Sequence, residues 1–313
     1  MASVTADPGL PRPRPRSASR DGCGTFHYPA PMIVHLVDGT YELFRHFYGA
    51  RRALKKNDKD RPYAGVVGVL GTVVDMLEAG ATHLGVATDH VIESFRNELW
   101  PGYKTGEGIE PALWKQFHPL EEALVAMGVT TWAMVGEEAD DALASAAHLA
   151  ARDRRVEKVS LWTPDKDLAQ SVQGDRVVQV DRKSGMIRDA KAVKQKFGVT
   201  PEFVADWLAL VGDAADGYPG VPKVGAKSAV VLLEKYGHIE DWPDDVLPER
   251  REEALLFKRL ATLRADLPLF DDVESLRWMG PTTKFDAIAK TMEADRVLAR
   301  VTKLATGARR PAR

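Results

Sequence analysis

Short apolar runs alternate with longer stretches of helical periodicity along most of the chain. Residues 32–39 (MIVHLVDG) read as a buried strand closed by Asp38-Gly39, because a brief apolar run ending in a turn signal suits a strand covered on both faces. A helical YELFRHFYGARRAL follows, then a second helix over GVVGVLGTVVDMLEAG and a strand, THLGVAT, that delivers Asp89. Beyond an irregular stretch the pattern predicts a helix from about Leu113 to Met127, a strand VTTWAMV and a helix ADDALASAAHLAARD. The strand KVSLWT then leads to Asp165 and Asp167. Strands alternating with helices predict an α/β fold, a mostly parallel sheet with helices on both faces. Ligands of such sheets lie beyond the carboxyl ends of the strands, where Asp38, Asp89 and Asp165 all fall.

These three belong to a larger set. Nine carboxylates form five groups: Asp38; Asp89; Glu138, Asp140 and Asp141; Asp165 and Asp167; Asp213 and Asp216. Singly, each has an ordinary explanation. Asp38-Gly39 is a common turn, and Asp140 and Asp141 suit the positive end of a helix dipole. Together they resist it, because carboxylates gathered without cations raise one another's pKa and destabilise the fold. Hard oxygen ligands are what Mg²⁺ or Mn²⁺ take, and two such ions roughly 3.5–4 Å apart activate water against a phosphodiester.

The segment from Thr200 to Gly237 adds a second device. A helix PEFVADWLALVGD runs into the loop AADGYPGVPKVG, and the helix AKSAVVLLEKYG starts at once. Gly220, Pro222 and Gly225 predict a tight turn whose N–H groups converge on a phosphate at the second helix's N-terminus, with Lys223 and Lys227 adding charge. A plain helix hairpin with a Gly-rich turn is the alternative.

Composition adjusts this picture at three points. The chain carries 43 basic and 45 acidic side chains; with the nine clustered carboxylates set aside, the basic ones are in excess, which suits a polyanionic partner. Cys23 is the only cysteine, so a disulfide framework, a thiolate metal site and a cysteine nucleophile are excluded. Residues 1–31 alternate Pro and Arg without apolar periodicity and are expected to be disordered, with order starting at Met32, which is also an alternative to Met1 as the start of translation. Neither a signal peptide nor an 18-residue apolar run occurs, so a cytoplasmic, nucleoid-associated location is expected.

LVDGTYELFR, ATDHVIESFRNELWPGYK, VGEEADDALAS, TPDKDLAQ and VGDAADGYPGVPKVGAKSA, in this order and spacing, closely resemble the 5′→3′ exonuclease/flap endonuclease family, which includes the N-terminal nuclease domain of bacterial DNA polymerase I. The resemblance runs from Met32 to roughly Pro281. It implies a PIN-like nuclease core over 32–199 and a helix-three-turn-helix DNA-binding region with a helical appendage over 200–290, before a C-terminal helix and basic tail over 291–313. It also implies two Mg²⁺ or Mn²⁺ ions, the first held by Asp38, Asp89, Glu138, Asp140 and Asp141 and the second by Asp165, Asp167, Asp213 and Asp216. A K⁺ ion at the helix-three-turn-helix belongs to the same expectation. By motif position Arg45, Gly220, Val221, Lys223, Gly225, Lys227 and Ser228 are expected to contact DNA, with a surface ion pair as the alternative for Arg45. Residues from about 93 to 118 match an arch over a single-stranded 5′ end; there Lys104 and Arg96 are expected to offset charge at the scissile phosphate and Tyr103 to stack on a base.

Two departures stand out. Glu107 occupies a position usually held by Arg, and Gly217 replaces the usual Asn, which is expected to loosen that loop. The resemblance implies a metal-dependent 5′ nuclease acting on DNA flaps, nicks, gaps and RNA–DNA primer hybrids; from the length of the chain it is expected to be free-standing, beside a separate polymerase and ligase, and a monomer without membrane attachment is expected. A PIN-type ribonuclease and a non-catalytic binder of branched DNA are the alternatives.

Overall fold

The computed structural model describes residues 32–53 and 61–308. The expectations placed on the leader, on Cys23 and on the tail from 309 to 313 lie outside these residues. Strand β1 (Met32–Asp38) runs straight into α1 (Gly39–Ala53), followed by α2 (Ala64–Glu78) and β2 (His83–Ser94). Three short helices come next, α3 (Phe95–Leu99), α4 (Pro111–Trp114) and α5 (Phe117–Ala126), and then β3 (Thr130–Gly136), α6 (Ala139–Arg152) and β4 (Val156–Trp162). The second half holds β5 (Val177–Asp181), β6 (Met186–Arg188), α7 (Ala190–Phe197), α8 (Val204–Val211), α9 (Ala226–Tyr236), α10 (Arg251–Ala261), α11 (Phe285–Thr291) and α12 (Asp295–Ala308).

The strands form one sheet in the order β3-β2-β1-β4-β5-β6, parallel throughout except for β6. With β1 central and the chain winding outward in both directions, the crevice expected of such a sheet opens beside the end of β1. One face is sealed by Leu70, Val73 and Leu77 of α2, Leu120 and Leu124 of α5, and Phe285 and Val301 of α11 and α12. The other rests on α6, whose Ala142, Ala146, Ala147 and Ala150 let the helix approach Val34, Leu36 and Val159 closely. A third core joins α7, α8, α9 and α10 around Leu208, Tyr218, Phe257 and Trp242.

Several elements differ from the sequence reading. Strand β2 continues past Asp89 to Ser94, and β5, β6, α3 and α7 emerge from stretches too short or too polar to show periodicity. The boundary expected at residue 290 falls inside α11, and the break between α11 and α12 comes at Glu293, which has a φ of 55°. The C-terminal segment is also no appendage, because Phe285, Ala289, Val297 and Val301 complete the core under α2.

Candidate metal centre and nucleic-acid interface

Backbone geometry aims the first carboxylates. Asp38 ends β1, where its Oδ1 accepts the Tyr41 N–H at 2.8 Å and its Oδ2 the Thr163 hydroxyl at 3.0 Å. The next residue must be glycine, since a Cβ on Gly39 would lie 2.7–2.9 Å from Thr88, Val86 and the Ala87 carbonyl. Asp89, one strand over, accepts the Ala139 N–H at 2.8 Å, tying β2 to the first turn of α6. That turn supplies Glu138, Asp140 and Asp141.

Burial pushes the Asp38 carboxyl up to about 7, with the nearby Asp89 and Asp165 charges acting in the same direction. Asp140 is raised well above the usual range by burial, then by Asp165 and Asp38. A carboxyl raised on folding leaves stability intact below its unfolded value near 3.8 and removes it as pH climbs through the folded value. Melting curves of the metal-free protein should therefore fall as pH rises from about 4 to about 7, and a divalent ion should reverse much of that loss; a flat profile would contradict this electrostatic picture.

The second group converges more tightly. Oxygens of Asp167, Asp213 and Asp216 lie within 4.8 Å of one another. The Oδ1 of Asp167 is buried without a hydrogen-bond partner among the described residues, and burial followed by Asp165, Asp216 and Asp213 raises its pKa well above the ordinary value. Asp165 sits exposed at the rim, accepting the Asp167 N–H at 2.9 Å. An orphaned buried oxygen among carboxylates fits a hard divalent cation.

Lysines bridge these groups. Lys104 Nζ lies 2.8 Å from Glu138 Oε2 and 3.0 Å from Asp216 Oδ1, linking the first group to the second. Burial opposes its charge, but Glu138 and Asp216 prevail and its pKa is raised. Lys166 Nζ reaches Asp213 Oδ2 at 2.5 Å; its place between Asp165 and Asp167 could have flagged it, as could Thr163 two residues before Asp165.

Arg96 does something other than expected. Its side chain is 1 % exposed, with both terminal nitrogens on Asp141 at 2.7 and 2.8 Å and further bonds to the Leu260 and Thr262 carbonyls. A guanidinium so committed has no face left for a scissile phosphate, and it braces the site instead. Asp141 is equally occupied: besides Arg96 it accepts the N–H groups of Glu138 and Arg264, which fills both oxygens and removes it from the metal set. Nothing in the sequence signals Arg264, which lies far along the chain. Tyr103 is 4 % exposed, with its hydroxyl 3.4 Å from Glu138 and its ring in the α8–α10 core, so it cannot stack on a base. Arg45 pairs with the buried Glu42 at 2.5 Å.

The expected hairpin is α8, a loop over 212–225, and α9. Gly220 and Val221 are internal to it: a Cβ on Gly220 would meet the Gly212 nitrogen at 2.3 Å, and the Val221 N–H bonds to Leu210. Both shape the turn and offer no contact surface. Lys223, with φ 68°, together with Gly225, Lys227 and Ser228, is exposed at the N-terminus of α9. The open N–H groups of that first turn and two ammonium groups suit a phosphate.

The model of the 5'-3' exonuclease N-terminal, resolvase-like domain matches residues 33–198, and that of the 5'-3' exonuclease C-terminal SAM fold matches residues 199–284. The chain belongs to the 5′-3′ exonuclease family. A 5′-3′ exonuclease of Buchnera aphidicola is 28% identical over 259 residues, 76% of this chain and 88% of its own. DNA polymerase I of Mycobacterium leprae is 34% identical over 265 residues, 79% of this chain but 28% of the polymerase, so the chain spans little over a quarter of that relative. The fold of T5 5′-exonuclease, solved with zinc ions bound, superposes with a TM-score of 0.60 at 19% identity, over 86% of this chain and 99% of the other. The catalytic core of Rad2, solved with a DNA substrate, gives 0.56 at 13% identity over 86% and 91%.

This 5′-3′ exonuclease is a phosphodiester hydrolase. Among its own features, Glu107 is exposed on the segment after Lys104. Gly217 does not loosen its loop as expected. It has a φ of 83°, and a Cβ there would lie 1.9 Å from the Gly102 carbonyl oxygen, so glycine is what allows the two backbones to touch.

Proposed function

We propose that this 5′-3′ exonuclease is a structure-selective nuclease dependent on two Mg²⁺ or Mn²⁺ ions, cutting DNA at 5′ flaps, nicks and gaps and removing RNA primers annealed to DNA. The observation that carries the reading is the Asp167, Asp213 and Asp216 cluster with its orphaned oxygen, joined to Glu138 through the Lys104 ammonium. Bound there, divalent ions supply a lowered water pKa and Lewis-acid neutralisation of the phosphate. The chain's part is to hold Asp38 through Thr163 and Glu138 through Ser94 and Arg96, and to present the Lys104 ammonium between the two groups. Arg45 and the K⁺ ion at the hairpin belong to the same proposal, as do a monomeric state, a cytoplasmic, nucleoid-associated location, and a polymerase and ligase acting on the product. No helix among the described residues is long and apolar enough to cross a membrane.

The exposed start of α9 is assigned the duplex backbone, gripped without reading bases. Lys223→Ala combined with Lys227→Ala should weaken binding to all duplex sequences alike and lower the salt slope by about 2. Loss confined to particular sequences, measured by fluorescence anisotropy across salt, would contradict it.

A panel of 5′-labelled flap, nicked, gapped and primer-hybrid substrates, with single-stranded RNA beside them, tests the function. Preference for junctions supports the proposal. Cleavage of single-stranded RNA alone would favour the ribonuclease reading, and binding without cleavage in Mg²⁺ the non-catalytic one.

A further inference from the structure

The segment that carries Lys104 is fastened to the loop that carries Asp213 and Asp216. Three contacts make the joint: the Lys104 N–H bonds to the Asp216 carbonyl at 3.0 Å, the Trp100 indole N–H bonds to the Gly217 carbonyl at 3.0 Å, and the Gly102 and Gly217 backbones meet with no room for a Cβ. Trp100 is held from behind by Phe257, edge-on at 5.4 Å, and Phe257 stacks on Tyr218 of the same loop at 5.6 Å. Tyr218 in turn exchanges both backbone bonds with Asp213, at 2.9 and 3.0 Å. Both carboxylates of the loop are thus referenced to one indole.

We infer that Trp100 and Gly217 are positioning residues for the second ion, fixing Asp213 and Asp216 by clamping their loop to the root of the 93–118 segment. The inference rests on the two-ion reading above. Ligands preset by a rigid frame bind an ion without first being ordered, and breaking the frame moves that ordering into the binding step. By linkage the coupling runs both ways: an ion on the loop steadies the segment from Trp100 to Lys104, and a loosened segment weakens the ion. Removing such a support commonly costs about 10- to 100-fold in metal affinity.

Two variants separate this from a general packing role. Trp100→Phe keeps a ring against Phe257 and deletes only the donor. Gly217→Asn tolerates a positive φ better than most side chains do, so its main effect is the clash with Gly102. Metal-free protein is titrated with Mn²⁺ by electron paramagnetic resonance, and hydrogen exchange of residues 95–105 is followed in parallel.

Wild type is expected to take up two ions, with exchange over 95–105 slowed by the weaker one. Each variant should lose about tenfold or more in affinity for that ion alone, retain the other, and no longer show the slowed exchange. Two ions bound as tightly in both variants as in wild type would overturn the inference while leaving the two-ion reading intact, and equal loss at both sites would reduce Trp100 to a packing residue. Failure of wild type to bind a second ion would overturn the two-ion reading itself.

Discussion

Asp165→Asn leaves flap binding within about twofold of wild type but lowers the single-turnover cleavage rate by at least about 100-fold; that is the expected outcome if the carboxylates hold the reacting ions. The substitution is nearly isosteric, and Asp165 is exposed at the rim with only the Asp167 N–H on its Oδ1, so folding should be spared. Asp38→Asn should lose activity in the same way, and thermal stability at neutral pH should not suffer, because the change removes a buried charge repelled by Asp89 and Asp165. Gel-shift affinity and quenched-flow rates on one flap substrate check both variants. Turnover within about tenfold of wild type in either would remove that residue from the centre.

Arg96→Met gives the opposite signature. Removing the guanidinium strands the fully buried Asp141 carboxylate and frees the Leu260 and Thr262 carbonyls. Breaking a buried ion pair by deleting one partner costs about 3–5 kcal/mol. In a chain of this size that lowers the melting temperature by roughly 10 °C. Activity should fall in step with stability. A stable variant that binds DNA normally but no longer cuts would restore Arg96 to the scissile phosphate, against the geometry seen here.

These two results mark where sequence reasoning reaches and where it stops. The alternation of apolar runs with helical periodicity shows the parallel sheet, because burial on both faces leaves a contiguous hydrophobic signal in β1, β2 and β4. It also shows Asp38 as the last residue of β1 and Asp165 just beyond β4, but it ends β2 too early, because Asp89 lies within a strand that runs on to Ser94. Short edge elements such as Met186–Arg188 leave no such signal. The site divides likewise. Position along the chain singles out Asp38, Asp89, Asp167, Asp213 and Asp216 as candidates, of which the structure gathers the last three, but whether a carboxylate is free to take an ion depends on partners that arrive from elsewhere. Asp141 is saturated by Arg96 and by the N–H of Arg264, which lies more than a hundred residues further along the chain. Tyr103 looks in sequence like an aromatic on an open loop, yet the joint at Gly102 and Gly217 draws that loop inward and buries it. Gly217 shows the same limit, because a lost side chain reads as slack until the backbone packed against it is seen.

The most direct measurement is cleavage of a 5′-labelled flap duplex by the purified protein, with Mg²⁺ and with excess chelator. Release of a short 5′ fragment cut at or near the junction, present with Mg²⁺, absent with chelator and restored by Mn²⁺, is the expected result. Flap binding with no metal-dependent product under any of these conditions would contradict the assignment of the carboxylate cluster as a phosphodiester-hydrolysing centre.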